Sequence, residues 1–194
     1  MARLPKSEFW DFSLTVYGRD GVAPACLALQ ERHGADVNLL LFCCWLAASG
    51  RGALTGESLA RTAAAVEPWH REIVRGLRAL RVRLRAGEAP LPEGADRTFD
   101  GFAQELRKKV AAVELEAEHI EQLLLAAAAA ALGPTEAASP QAERARKAAR
   151  SAKAYLASLG APLDEADDRD LGTVLAAVFP TLARRELELL LASP

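Results

Sequence analysis

The 194-residue chain is short of the features that usually disclose a chemistry. Cysteine occurs three times, as Cys26, Cys43 and Cys44. An odd set with two adjacent members builds no disulfide framework, and all three fall in apolar helical patterns, so reduced core thiols in a reducing compartment are expected. Aromatic residues make up 6% of the chain and β-branched residues are scarce. There is no sustained period-two alternation and no Asn-Gly turn, which excludes a sheet protein. No glycine-rich phosphate loop, Cys-x-x-Cys or Gly-x-Ser-x-Gly occurs, so nucleotide, thiol-redox and serine-hydrolase chemistry have no motif to stand on. Charge of one sign is lacking too. A net charge of -2 gives no reason to expect nucleic acid or an anionic membrane as partner. Residues 1–10 carry charges where a signal peptide needs an apolar stretch. The run 123–132 is mostly alanine and too short to span a bilayer. A cytoplasmic protein without membrane contact is the expectation.

What is present is alanine and leucine, both strong helix formers. Ser7 is placed to cap a helix over residues 8–17, stopped by Gly18. Pro24 suits the first turn of a second helix ending at His33-Gly34. Asp36 caps a third over 37–48, whose residues Leu39, Leu40, Leu41, Phe42, Trp45 and Leu46 make it apolar nearly all round. Such a helix belongs at the centre of a bundle. A fourth segment from Thr55 is expected to divide at Pro68 and to continue to about Arg85. A loop over 86–96 precedes the longest helix, 98–132. Its apolar residues Phe99, Phe102, Leu106, Val110, Val113, Ala117, Ile120 and Leu124 recur at helical spacing, and Gly133-Pro134 stops it. The last third holds an Arg/Lys/Ala helix over 139–159, an apolar helix over 171–179 and an amphipathic helix over 181–192. The reading is all-α: a bundle of about five helices at residues 8–132, with a C-terminal helical module at 139–192 docked on it or tethered to it.

Four strings in order carry a resemblance: FWDFSLTVY at 9–17, GVAPACLALQ at 21–30, VNLLLFCCW at 37–45 and PWHREIV at 68–74. Together they resemble an uncharacterised family of small proteobacterial proteins described only as a domain of unknown function, over roughly residues 8–125. The resemblance implies a bacterial, cytoplasmic, helical protein, with a C-terminal extension outside the family. It implies no activity, substrate or catalytic residue.

Three constellations are candidates for chemistry. Glu-x-x-His occurs twice, as Glu67/His70 and Glu116/His119. Two such pairs bind a divalent metal pair in ferritin-like bundles, because carboxylate and imidazole three residues apart converge on one ion. Against this, Pro68 puts Glu67 at or before a first turn, and helix 37–48 offers no carboxylate to complete the set. Arg71, Arg75, Arg78, Arg81 and Arg85 share one helix face. Arg71, Arg75 and Arg78 could bind an anion or an acidic partner, or the face could meet Glu114, Glu118 and Glu121 across an antiparallel pair. Trp10, Asn38 and Trp45 could wall a pocket, although Asn38 has a plainer role in local hydrogen bonding beside the Asp36 cap.

No catalytic residue and no cofactor beyond such a metal is expected. The leading expectation is a non-catalytic interaction or adaptor protein with a protein partner through the C-terminal helix, where Leu182, Leu187, Leu190 and Leu191 form an apolar strip. A metal-binding protein is the alternative, and a nucleic-acid-associated regulator is a weaker one. The oligomeric state is left open.

Overall fold

The computed structural model describes residues 4–85, 89, 97–130 and 139–192. These residues form α1 (Glu8–Tyr17), α2 (Val22–His33), α3 (Val37–Ala48), α4 (Gly56–Trp69), α5 (Arg75–Arg83), α6 (Arg97–Ala130), α7 (Gln141–Ser158), α8 (Glu165–Val178) and α9 (Arg184–Ala192). A π-helical turn, His70–Val74, joins α4 to α5 without a break, which makes eight helical runs; no strand occurs among the described residues. The expected loop at 86–96, apart from residue 89, and the expected Gly133-Pro134 stop lie outside the described residues.

The chain divides into two compact units, residues 1–64 with 122–194, and residues 65–121. In the first, α3 is the central helix. Every residue from Asn38 to Ala47 is buried, as its all-round apolar sequence predicts. Asp36 caps it, its carboxylate accepting the Asn38 backbone N–H at 2.8 Å. Ser7 heads α1 but makes no side-chain cap. Gly34 ends α2 in the left-handed region, φ 68°, where its N–H returns to the Gln30 carbonyl. Phe9 of α1 packs on Phe42 and Trp45 of α3, each pair with ring centroids 5.2 Å apart.

α7 packs on α3. Ala145, Ala148, Ala149 and Ala152 are buried, and this small-residue face lets the α7 backbone lie close against α3. The tie is polar as well: Ser151 Oγ accepts the Leu54 N–H at 2.9 Å, and Tyr155 Oη accepts the Asp36 N–H at 2.7 Å. α8 packs on α2 and α9 on α8, with Leu187 and Leu191 buried. The helices of 139–192 therefore share the core of α1–α3, and about five helices is too low a count for the bundle. An alanine face carries little hydropathy, so its role in close packing was not visible in the sequence.

The second unit is a helical hairpin. One arm is the end of α4, the π turn and α5; the other is the first part of α6. Pro68 does not start a new helix, as expected from sequence, but sits inside α4. A proline there has no N–H to donate and its ring crowds the preceding turn. Immediately afterwards the chain widens into the π turn, closed by the Arg75 N–H bonding to the His70 carbonyl. Near the far end Leu84, Ala103 and Val110 are buried together with Leu77 against them, and Gln104 Nε2 donates to the Leu84 carbonyl at 3.0 Å.

Candidate functional site

Within the hairpin, polar side chains on the two arms meet in a ladder. Trp69 donates its indole N–H to the Ala117 carbonyl at 3.0 Å. His70, carried by the π turn, places Nδ1 at 3.1 Å from Oε1 of Glu121, a carboxylate wholly buried. Further along, Arg78 donates to Glu114 at 3.1 Å and to Glu118 at 2.7 Å. Arg81 Nε donates to Glu114 as well, and its Nη2 reaches the same carboxylate at 3.1 Å. Burial pushes the Glu114 carboxyl up, but the two guanidiniums outweigh it and hold the group below its ordinary range. Glu118 goes the other way. Its burial outweighs the Arg78 contact and raises it, with the charges of Glu114 and Glu121 adding to the rise.

These positions sort the candidates read from sequence. Glu67 does not turn to His70: it pairs with Arg71, which also holds Glu72 at 2.9 Å, on the exposed side of α4. Glu116 is exposed on α6 and His119 half-buried. The carboxylate that reaches His70 is Glu121, from the opposite arm. Of the three arginines considered for anion binding, Arg71 and Arg78 are engaged by glutamates and Arg75 is exposed. The arginine face meets Glu114 and Glu118 across an antiparallel pair, and Glu121 is given to the histidine instead. One sequence signal marks Glu121: it continues the buried register of Ala103, Val110, Glu114 and Ala117, where a carboxylate without a partner would be costly.

The first unit holds two polar clusters of its own. Gln122 Nε2 donates to Asn38 Oδ1 at 2.7 Å, a buried amide pair. Trp45 lies in the aromatic group with Phe9 and Phe42, with the Arg51 guanidinium 5.1 Å above its ring. Asn38 and Trp45 thus sit in different surroundings, and Trp10 is half-buried on α1. The second cluster joins α2 to α8. The buried carboxylate of Asp167 accepts from Arg32 Nε at 2.9 Å, lies 2.8 Å from His33 Nε2, and accepts the Asp164 N–H at 2.9 Å. Arg32 also donates to Asp170 at 2.5 Å. Burial pushes Asp167 up, but the Asp164 N–H, His33 and Arg32 together hold it below the usual carboxylate range. Neither His33 nor Asp167 carries a motif; their meeting depends on tertiary packing. All three cysteines are buried and free, with Cys26 and Cys44 pushed by burial to about 12.

The hairpin also leaves apolar side chains in water. On α6, Phe99 is 53% exposed, Phe102 65%, Leu106 50% and Val113 48%. On the other arm Ile73 and Leu80 are exposed as well. At helical spacing these residues lie beside the buried seam on each arm, so together they make one two-helix apolar face. Leu115, 49% exposed, lies on the far side of α6. No helix among the described residues is long and apolar enough to cross a membrane.

A sequence-family model described as a protein of unknown function (DUF2390) matches residues 8–125. No curated protein and no solved structure matches the chain.

Proposed function

The chain belongs to this DUF2390 family, and we propose that it is a non-catalytic helical interaction protein whose contact surface is the apolar face of the α5–α6 hairpin. The observation that carries this reading is the exposure of Phe99, Phe102, Leu106 and Val113 on one side of one helix. Soluble monomers rarely leave so large a contiguous apolar patch, and aromatic anchors of this kind dominate interface energetics. The contact surface moves away from the C-terminal helix, because Leu187 and Leu191 are already buried. A photo-crosslinking amino acid at position 102 is expected to capture another protein chain in cells, whereas the same group at Leu115 captures none. Equal capture at both positions, or none at 102, rejects the reading.

A second reading, binding of a divalent cation, is favoured by one observation: His70, at a π turn, lies against the buried Glu121. Single π turns are common at functional sites, and imidazole with carboxylate suits zinc, iron or manganese. Near-stoichiometric metal in desalted protein, lost in His70→Ala and Glu121→Gln but retained in Glu67→Gln, supports it. Trace metal that ignores these substitutions rejects it.

A further inference from the structure

We infer that the apolar hairpin face is covered by a second copy of this chain, the two α6 helices crossing antiparallel about a two-fold axis near position 107. This rests on the contact-surface reading above and names its occupant. The first reason is architectural. Two antiparallel helices with an apolar side are half of a four-helix bundle, and a two-fold pairing of two hairpins completes it with one self-complementary surface. The second is size. Six side chains about half exposed present roughly 500 Å² of apolar surface, at the upper end for a monomer's largest patch. Together with the stems of the flanking charged residues, this approaches the roughly 800 Å² per partner of an ordinary stable interface.

The third reason is charge. The same side of α6 is bordered by Glu105, Lys109 and Glu116, charges of both signs. That border favours neither an acidic nor a basic partner. It does fit its own reverse. The midpoint of Glu105 and Lys109 is position 107, within one residue of the midpoint of Phe102 and Val113. An antiparallel two-fold centred there sets each Glu105 beside Lys109 of the second copy, twice over, while Phe99 and Phe102 of each chain lie over the 112–115 stretch of the other. Oppositely charged rim pairs of this kind fix register more than they add affinity.

The test is sedimentation velocity of the full chain across a concentration series. The wild-type protein is expected to show a reversible monomer–dimer equilibrium. Phe102→Glu with Leu106→Glu, both at already exposed positions, is expected to weaken self-association at least ~100-fold with an unchanged circular dichroism spectrum. Glu105→Lys and Lys109→Glu should each weaken it roughly 5- to 10-fold, and mixing the two variants should restore it, since each supplies the charge the other lacks. A monomer at every concentration, or a dimer indifferent to the Phe102/Leu106 substitutions, overturns the inference. A dimer whose two charge variants fail to rescue each other overturns the antiparallel register. If the chain stays monomeric while position 102 still crosslinks to a different protein, the contact surface stands and only its occupant is wrong.

Discussion

Replacing Asp167 by asparagine removes one charge from the carboxylate that ties α2 to α8, at almost constant shape. The wild-type carboxylate is buried and takes two side-chain contacts, from Arg32 and His33, and one backbone N–H. Hydrogen bonds to a charged group contribute about 1.5–3 kcal/mol each, and stranding one partner of a buried pair costs about 3–5 kcal/mol. Arg32 is about one-third exposed and regains water, so its share is discounted. The expected loss for Asp167→Asn is about 3 kcal/mol at neutral pH, a fall in Tm of roughly 6–12 °C for a chain of this length. The pH dependence has a definite sign. The folded carboxyl lies below its unfolded value, near 3.9 for an aspartate. Its contribution is therefore complete above that value and is lost as pH falls through the lower folded one. Thermal unfolding followed by circular dichroism should show the gap between wild type and variant closing as pH falls below about 4. A variant within about 0.5 kcal/mol of wild type at pH 7, the range of an inconsequential surface change, refutes this account of the α2–α8 joint.

Other expectations follow from the same geometry. Tyr155→Phe leaves the Asp36 N–H without its acceptor and should cost about 1–3 kcal/mol in urea unfolding; Ser151→Ala does the same to Leu54. Glu114→Ala removes one carboxylate from Arg78 and Arg81, but both arginines are partly exposed and Arg78 keeps Glu118, so a smaller loss of about 1–2 kcal/mol is expected by the same method. The thiols of Cys26, Cys43 and Cys44 should resist a disulfide reagent until denaturant is added. Because the folded pKa values of Cys26 and Cys44 lie near 12, above the ordinary thiol value, their contribution is complete below about pH 8.5 and stability should fall as pH rises toward 12.

Much of the architecture was legible because it depends on local rules. Asp36 announces α3, Gly34 ends α2, and the all-round apolar face of α3 places it at the centre. The meeting of the arginine face with Glu114 and Glu118 followed from spacing and an antiparallel turn. What escaped depends on distant packing. The alanine face of α7 looks weak on any hydropathy scale, yet small side chains are what close contact with α3 needs. The π turn after Pro68 turns His70 from Glu67, its neighbour in sequence, to Glu121 on the other arm. Asp167, which belongs to no motif, becomes a buried acceptor because α8 lies on α2.

Coverage of the contact surface by a second copy is tested most directly by amide hydrogen exchange on the full chain, dilute and concentrated. Slower exchange on concentration in α5 and the 99–113 stretch of α6, with α7 to α9 unchanged, is the result expected of a hairpin face covered by a second copy. Exchange that does not depend on concentration, or protection that appears in α9 instead, contradicts it.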